Sequence, residues 1–313
     1  MFNPEHLATL QAVVEEGTVL AAADRLGYTP SAVSQQLARL QREVHQPIMT
    51  RRGRANAPTK AAYVLVRLAQ QMQQLEESAR AELEGLQRKV TGSLVLSGFP
   101  SAMRGLLVPV AAACAKAYPE IELTLREMSP EESVAAVRRG DVDLAVVHDW
   151  TDKHVPMRDG VKAWPVGLDA VDVVASSALE VPIGPDGVDP VDLHDQVWID
   201  DTPGVFSDWL LDALDSRNIP YRIGATVEDI NGRVMLVAEG FGVSLLPRLG
   251  RGTLPPGVVT LPVVGAPTRR IFAVHRDSSE RRPAIHAALG LIRSVWDREG
   301  HPIERPKPET LSQ

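Results

Sequence analysis

The chain has 313 residues, of which 44% are hydrophobic and 23% charged, and its formal net charge is −7. This composition is atypical of a disordered chain and allows two or three ordinary hydrophobic cores. The single cysteine, Cys114, excludes an intramolecular disulfide and lies in an apolar segment typical of a helix core. The first residues lack the basic start and apolar run of a signal peptide, and no apolar segment approaches membrane-spanning length. We therefore expect a cytoplasmic protein without membrane contact.

The charge is unevenly distributed along the chain. Residues 1–90 carry 11 basic and 9 acidic side chains, whereas the remainder carries 22 and 31. Between residues 39 and 60 there are six basic side chains against Glu43 alone. A local basic patch on an acidic chain is typical of a small nucleic-acid contact attached to a larger domain.

Residues 4–44 have the pattern of three helices. Thr18 is a candidate N-cap for the second helix, which ends near Gly27. Thr29 caps the third, with Pro30 at the first helical position, where its missing N–H costs nothing. Two helices separated by about three residues are the signature of a helix-turn-helix.

The third helix has one apolar and one polar side. At 100° per residue, Val33, Leu37 and Leu40 fall together and are predicted to be buried. The polar side suits a DNA groove, because Gln can pair with adenine, Ser with base edges or phosphate, and Arg with guanine or phosphate. A merely solvated helix face is the alternative. The candidate DNA contacts of this region are Thr29, Ser31, Ser34, Gln35, Arg39 and Arg42.

The next segment combines turn residues with basic side chains and then becomes helical again. Residues 45–58 predict a short hairpin or wing. Thr59 is the candidate cap of a long helix to about Lys89. Apolar residues recur in it every three or four positions and predict a coiled-coil-like dimerisation seam, with an ordinary amphipathic helix as the alternative: Leu65, Leu68, Met72, Leu75, Ala79, Leu83 and Leu86.

From Thr91 onward, predicted strands and helices alternate. The strands SLVLSGF, IELTLREM and VDLAVVHD are separated by helices, which predicts parallel strands with right-handed crossovers. A second α/β set follows, and a strand and helix return after a Pro/Gly-rich passage, so two lobes would be joined by crossing segments near 163–166 and 262–267. The predicted organisation is a DNA-binding domain 1–58, a linker helix 59–90, lobe I 91–165 with 266–300, lobe II 166–265, and a disordered tail 301–313.

These motifs resemble the LysR-type transcriptional regulators over nearly the whole chain. The N-terminal residues that carry the resemblance are Leu7, Leu10, Val13, Gly17, Thr18, Ala21, Ala22, Ala23, Leu26, Thr29, the SAVSQQL segment 31–37, and Leu40. IMTRRGR (48–54) and PTKAA (58–62) stand where the family has Leu-Phe-x-Arg-x-x-Arg and Leu-Thr-x-Ala-Gly. VAEGFGVSLLP (237–247) is similar to the family's Gly-x-Gly-Val-x-x-x-Pro segment.

The sequence departs from the family pattern at four positions. Gln41 replaces the usual Glu, His45 and Ala62 each replace a usual Gly, and Pro30 replaces a usual Gln. In the family, that Gln often reaches DNA, so base readout here would depend more on the serines and on Gln35. His45 concerns the turn after the third helix.

The resemblance implies a fold, an assembly and a set of partners. The fold would be an all-α winged helix-turn-helix and a long linker helix, followed by a two-lobed α/β effector domain of the periplasmic-binding-protein-like type II class. The partners would be double-stranded promoter DNA, a small-molecule effector, RNA polymerase, and a second copy through the linker helix, usually within a homotetramer; no cofactor is implied. Arg51 and Arg54 of the wing would meet phosphate or the minor groove.

The effector site is expected between the lobes. Ligands gather at the carboxyl ends of parallel strands and at helix N-termini, and similar regulators bind their effector there. Ser101 is predicted to cap the helix at the first of these junctions. For Ser101 and Ser129, the alternative to contact with the effector is a role as a helix cap alone. The candidate effector contacts are Phe99, Pro100, Ser101, Ala102, Met128, Ser129, Pro130, His148, Thr202, Pro203, Gly204, Asp229 and Ile230.

Three acidic residues near this cleft suggest a class of effector. Asp149, Asp201 and Asp229 together would disfavour a simple carboxylate, so an amine, an amino acid or a neutral molecule is the hypothesis.

Other classes of function have little support in the sequence. No Gly-x-Ser-x-Gly elbow or phosphate-loop motif is present. The segment HDWTDKH (148–154) lacks a spacing that would fix two metal ligands on one helix face. We therefore predict a regulator that is not an enzyme and holds no metal, with a cytoplasmic solute-binding sensor module as the alternative.

Overall fold

The computed structural model describes residues 2–52, 55–86, 89–150, 160–201 and 205–298. The chain forms two compact units, residues 1–84 and residues 85–313.

The N-terminal unit contains three helices, a hairpin and most of a long helix: α1 Pro4–Glu16, α2 Val19–Leu26, α3 Pro30–Val44, β1 Met49–Arg52, β2 Ala55–Pro58 and α4 Lys60–Gly85. Thr18 Oγ1 accepts the N–H of Ala21 at 3.1 Å, and Thr29 Oγ1 accepts the N–H of Ala32 at 3.2 Å. The two predicted caps and the tight joint between α2 and α3 are confirmed. The strands β1 and β2 pair antiparallel, which confirms the predicted hairpin.

The long helix α4 contributes to two different surfaces. Leu65 and Val66 are buried in the core that α1, α2 and α3 form, and Leu68 and Met72 pack partly buried against it. By contrast, three leucines farther along the predicted seam are exposed by 72%, 64% and 82%: Leu75, Leu83 and Leu86. The predicted continuous seam therefore divides into a core segment and an exposed segment.

The helix α4 is also shorter than predicted. Thr59 Oγ1 accepts the N–H of Ala62 at 3.3 Å, as expected of its cap. The helix ends at Gly85 rather than near Lys89. Glycine is a weak helix former, which is consistent with an end at this position.

Lobe I of the second unit is built on a five-stranded sheet in the order β4-β3-β5-β12-β6. The first three of these strands are parallel, as predicted, and β12 runs antiparallel to both of its neighbours. The bounds are β3 Gly92–Gly98, α5 Pro100–Ala102, a π-helical turn Met103–Leu107, α6 Val108–Ala117, β4 Ile121–Glu127, α7 Pro130–Arg139, β5 Leu144–Trp150, β6 Val161–Asp169, β12 Arg269–Arg276 and α10 Pro283–Arg298. Cys114 is buried in α6, as expected of a core residue.

Lobe II contains a three-stranded antiparallel sheet in the order β10-β7-β11 and a parallel pair β8-β9. An isolated parallel bridge between Trp198 and Val243 links the pair to the segment that leads into β10. The bounds are β7 Val171–Ser176, β8 Val197–Asp200, α8 Val205–Asp215, β9 Arg222–Thr226, α9 Ile230–Ala238, β10 Ser244–Pro247 and β11 Val258–Pro262. Short 3-10 turns lie at Pro190–Leu193 and, in lobe I, at Asp277–Ser279.

The crossing between the lobes lies later in the chain than predicted. The strand β6 belongs to the lobe I sheet and continues to Asp169, so the boundary expected at residues 165/166 falls inside a strand. The strand β11 was likewise not predicted and occupies part of the Pro/Gly-rich passage. The second crossing joins β11 to β12, close to the expected residues 262–267.

A further segment, just after β10, also joins the two lobes. Leu249 is part of the lobe I core, and its N–H donates to Asp169 Oδ1 at 2.8 Å. Gly250 packs directly on lobe I, where its carbonyl accepts a hydrogen bond from Arg104 Nε at 3.2 Å. This segment brings lobe II backbone against the start of α5 and the π-helical turn.

None of the helices among the described residues combines the length and the hydrophobicity that a membrane-spanning helix needs. The predicted tail, residues 301–313, lies outside the described residues.

Candidate DNA-binding surface and effector site

The polar side of α3 is exposed, as the helical wheel predicts. Val33 and Leu40 are fully buried and Leu37 is 8% exposed, so the helix packs by its apolar stripe. The predicted contacts of this region lie on the exposed surface: Thr29, Ser31, Ser34, Gln35, Arg39 and Arg42. The arrangement offers hydroxyl, amide and guanidinium groups on a rigid element of a width that fits a major groove.

Two of these side chains also form bonds within the helix. Ser34 Oγ donates to the carbonyl of Pro30 at 2.8 Å, and Arg42 Nε donates to the carbonyl of Ala38 at 3.4 Å. Because the Ser34 hydroxyl hydrogen is used in this way, its oxygen is left to accept a hydrogen bond, for example from a base amino group.

The end of α3 accommodates two of the departures from the family pattern. Gln41 Oε1 accepts the N–H of Ile48 at 3.3 Å and so ties the helix to the segment that leads into the wing. His45 follows the helix with φ 56, in the left-handed region where glycine is favoured. The turn therefore uses a backbone conformation that glycine adopts without strain, and His45 adopts it with strain.

The wing residues are only partly described. Arg51 lies in the hairpin strand β1, opposite Asn56. Its side chain and the whole of Arg54 lie outside the described residues, so their predicted contact with phosphate stays a prediction.

In the second unit, the predicted strand–helix junctions of lobe I lie side by side. The N–H of Met128 donates to the carbonyl of Gly98 at 3.1 Å, which places the end of β4 beside the junction at Phe99. Ser129 forms a capping box with Glu132, in which each side chain accepts the other residue's backbone N–H. Ser129 therefore performs the plain capping role, and Pro130 begins the helix it caps.

Ser101 does not cap its helix, contrary to the prediction. The helix begins two residues earlier than a cap at Ser101 would place it, at Pro100, with Phe99 in the N-cap position and no side-chain capping bond. Proline is favoured at the first helical position, which explains the shift. Ser101 is instead 4% exposed, and its Oγ accepts a hydrogen bond from Arg269 Nη2 at 3.0 Å.

Arg269 lies at the start of β12, where the chain returns to lobe I. It contacts Asp169 at the end of β6, where the chain leaves lobe I. Its Nε donates to Asp169 Oδ2 at 2.9 Å, and its guanidinium carbon lies 5.1 Å from the centre of the Phe99 ring and 6.0 Å from that of Phe206. Asp169 ends β6 and is fully buried with this arginine. The ion pair neutralises both charges, while the guanidinium face stays in contact with aromatic rings from both lobes.

A row of rings runs from lobe I to lobe II. Phe99 and His148 pack edge-to-face with centroids 4.5 Å apart, and His148 and Trp150 are 5.5 Å apart. Trp150 then contacts Phe206, at the start of α8, at 4.7 Å. Although Trp150 ends a lobe I strand, it packs in the core of lobe II. These four rings form the apolar wall of the site, which we call the ring row.

His148 is held uncharged in this wall. Burial, together with the positive charge of Arg269, lowers its pKa from 6.5 to about 3. Its Nδ1 is buried and has no hydrogen-bond partner among the residues described. A neutral imidazole nitrogen without a partner is suited to hydrogen bonding with a ligand.

Lobe II contributes a charged corner at the end of β8. Asp201 Oδ2 lies 3.5 Å from Arg233 Nη1, and Ser207 Oγ donates to Asp200 Oδ2 at 2.5 Å. Burial raises the pKa of Asp201, against the opposing effect of Arg233. Three predicted contacts of this corner, Thr202, Pro203 and Gly204, lie outside the described residues.

The three acidic residues do not act together as the sequence suggested. Asp149 forms two hydrogen bonds with Arg270, at 2.8 and 2.7 Å, which neutralise its charge. Asp229 caps α9 by accepting the N–H of Gly232 at 2.7 Å, and the next residue, Ile230, is buried in the lobe II core. Only Asp201 stands at the site with a carboxylate oxygen lacking a partner within the described ranges. Asp149 therefore does not contribute to a shared acidic cleft, whereas the charges of Asp201 and Asp229 both act on Arg233.

Several residues at the site were missed by sequence reasoning: Trp150, Asp169, Phe206, Arg233 and Arg269. One signal was available for Arg233, since it shares the helical spacing of the buried residues Ile230, Val234 and Val237. An arginine on the buried side of a helix needs a partner and marks a polar site. The partners of Arg269 lie 100 and 168 residues away and leave no local signal.

The described residues contain no group of three or more histidine, cysteine or acidic side chains that could hold a metal ion. Within HDWTDKH, residues 151–154 lie outside the described residues. Of the described part, His148 and Trp150 belong to the ring row, and Asp149 is paired with Arg270.

Comparison with known proteins is consistent with both units. Residues 4–63 match the bacterial regulatory helix-turn-helix profile of the LysR family, and residues 87–297 match the LysR substrate binding domain. The probable HTH-type transcriptional regulator LrrA of Synechococcus elongatus is 29% identical over 304 residues, which cover 94% of this chain and 97% of the relative.

Solved structures show the same fold at lower identity. A full-length OxyR variant from Pseudomonas aeruginosa is similar with a TM-score of 0.67 and 19% identity, covering 94% of this chain and 96% of that one. Full-length CbnR in complex with its target DNA is similar with a TM-score of 0.52 and 18% identity, covering 94% and 100%. With both profiles matched in order along the chain, this protein belongs to the LysR family of DNA-binding transcriptional regulators, which couple a helix-turn-helix to a substrate-binding, effector-sensing domain.

Proposed function

We propose that this regulator senses a small metabolite bound between its two lobes, and that the bound metabolite changes its contact with promoter DNA. The observation that carries the proposal is the interlobe site itself. The ring row spans both lobes, the Arg269–Asp169 pair of lobe I lies against it, and beside them lie buried polar atoms of His148, Asp201 and Arg233 without partners in the described structure. Unpartnered buried polar groups are costly unless a ligand or water satisfies them.

The mechanism would be a shift of population between two lobe arrangements. A ligand shifts such an equilibrium only as far as it binds one arrangement better than the other. A ligand that touches both the ring row and the charged corner contacts lobe I and lobe II at once, so it would favour the closed arrangement. In an assembled regulator, closure would change the spacing or bend of paired half-sites and the access of RNA polymerase.

Operator contact is proposed for the exposed face of α3. Gln35 would read a base edge, and its loss would weaken specific binding by about 1–3 kcal/mol while leaving binding to unrelated DNA unchanged. Arg39 would meet phosphate, so Arg39→Ala would weaken binding to all sequences and reduce the salt slope by about one. Arg138 is exposed on α7, outside the DNA-binding unit, and Arg138→Ala is the control with the same loss of charge.

Assembly is proposed through the exposed segment of α4, as a homodimer and within a homotetramer. Two exposed leucines of this helix, Leu75 and Leu83, and Leu86 directly after it support this, because large apolar side chains at helical spacing are typical of a contact with a second helix. Leu83→Lys is expected to reduce the mass measured by light scattering, whereas an unchanged mass would exclude this surface as the dimer contact.

A test of the proposed function is a DNA-binding titration with and without metabolites. The intergenic DNA beside this protein's own gene is the natural probe, and metabolites of several charge classes are added singly. A change in affinity or in the footprint with one of them supports the proposal. If no ligand of any class changes either quantity, the proposal fails. A solute-binding module without a promoter role is not supported, because the helix-turn-helix profile covers residues 4–63.

A further inference from the structure

We propose that the effector is an α-amino acid, whose ammonium is bound by Asp201 and whose carboxylate is bound by Arg233. This inference rests on the proposed function and specifies the chemistry of the same site.

The first observation is a buried ion pair that is incompletely satisfied. Arg233 is 4% exposed, and its Nη1 donates to the carbonyl of Leu245 at 3.2 Å while lying 3.5 Å from Asp201 Oδ2. Arg233 Nε and Asp201 Oδ1 are both buried, and each lacks a hydrogen-bond partner in the described ranges of the chain. One atom is a donor on a cation and the other an acceptor on an anion, and they belong to side chains that already face each other.

The second observation is that burial disfavours the charge on both side chains. Burial raises the pKa of Asp201 and lowers that of Arg233, and each effect is opposed mainly by the other residue's charge. A buried pair of this kind is stabilised when additional hydrogen bonds satisfy the remaining donor and acceptor. A ligand that supplies both an ammonium and a carboxylate would do so without adding net charge.

The surrounding charges disfavour a ligand of a single sign. A simple carboxylate at Arg233 would lie near Asp201 and Asp200 and would have no group to offer Asp201 Oδ1. A simple amine at Asp201 would lie near Arg233, with Arg104 and Arg269 also acting on this corner. Arg269 is already neutralised by Asp169, so it offers a contact surface rather than an unpaired charge.

The rest of the site favours an uncharged side chain on that amino acid. The ring row presents aromatic faces and edges from both lobes. His148 is neutral and can form one hydrogen bond through Nδ1. An apolar or aromatic side chain would replace water against this wall. Each contact with a ring would favour binding of such an amino acid over one with a charged side chain.

The test is calorimetric titration of the full chain with the twenty L-amino acids singly. The best-binding amino acid is then compared with its decarboxylated amine and its des-amino acid, which keep the side chain and lose one charged group. We expect each analogue to bind at least about tenfold more weakly, because a hydrogen bond to a charged group is lost in each case. Equal binding of either analogue would overturn the proposal.

Two variants test the assignment to residues. Asp201→Asn is expected to remove the preference for the amino acid over the des-amino acid, a change in specificity that a merely structural defect would not produce. Asp212→Asn, on the exposed face of α8, is the matched control and should keep the full preference. If Asp201→Asn keeps that preference as well, the assignment is wrong.

Panels of dicarboxylates, aromatic acids and sugars separate this inference from the proposed function. Binding of one of these, with a change in DNA binding and with no binding of any amino acid, would overturn the amino-acid inference and leave the metabolite-sensing function in place. If no ligand of any class binds, both fail.

Discussion

A single substitution at Gly250 would disturb the contact between the two lobes. The φ of Gly250 is +72, and a Cβ placed there would lie 2.2 Å from the carbonyl oxygen of Ser101. Gly252, two residues later, has a nearly identical φ of +74 and nothing within 4 Å of its Cβ position. Gly252→Ala therefore introduces only the left-handed backbone strain, whereas Gly250→Ala introduces the same strain and a clash with lobe I backbone.

The two substitutions are expected to differ clearly in stability. Left-handed strain costs about 1–2 kcal/mol for a residue with a side chain, and overpacking a rigid contact adds about 1–3 kcal/mol. We therefore expect Gly250→Ala to lower the free energy of unfolding by about 2–5 kcal/mol and Gly252→Ala by about 1–2 kcal/mol. Because the Cβ at position 250 would clash with the backbone of Ser101, no change of side-chain rotamer can relieve the clash.

Urea unfolding of the full chain, followed by tryptophan fluorescence, measures this difference as a shift in midpoint at constant slope. The fluorescence includes Trp150 and Trp198, which are buried in lobe II. Equal midpoint shifts for the two variants would refute the direct packing of Gly250 on Ser101.

Three further predictions concern single residues. His45→Gly should raise the free energy of unfolding by about 1 kcal/mol in thermal or urea unfolding, because it removes strain at φ 56; a loss of stability would show that the imidazole makes a compensating contact. Thr29→Ala should destabilise the N-terminal unit by about 1 kcal/mol through loss of its cap to α3, and an unchanged melting curve would contradict that role. His148 is neutral when folded, whereas the unfolded chain gains a proton as the pH falls below 6.5, so stability is lost from there towards the folded pKa of about 3. Between about pH 7 and about pH 5 the loss should be about 2 kcal/mol in urea titrations, and a His148→Gln variant that shows the same loss would exclude this residue as the cause.

Local patterns predicted the N-terminal unit closely. Thr18 and Thr29 as caps, Pro30 at the first turn and the stripe of Val33, Leu37 and Leu40 all depend on residues within one or two helical turns. The wing hairpin and the alternating strands of lobe I were found for the same reason. These elements are determined by short-range periodicity and cap chemistry, which a single sequence displays.

The errors arose where long-range contacts decide the structure. The strand β6 contains Pro165 within VKAWPVGLD, so it read as a crossing segment, although its pairing with β12 makes it an edge strand where proline is tolerated. Asp149 read as a cleft residue because its partner Arg270 is distant in sequence. Half of the apolar wall was predicted, since Phe99 and His148 lie at the ends of predicted strands, whereas Phe206 comes from a different lobe.

The central claim is that a ligand held by Asp201 and Arg233 between the lobes changes how the N-terminal unit binds DNA. Its most direct test is the footprint of the full chain on the intergenic DNA beside its gene, recorded with and without the amino acid that binds best, for the unaltered chain and for Asp201→Asn. The account predicts that the amino acid changes the footprint or the affinity of the unaltered chain, and that Asp201→Asn binds the same DNA without responding. An unaltered chain that ignores every bound amino acid, or an Asp201→Asn variant that responds as the unaltered chain does, would contradict it.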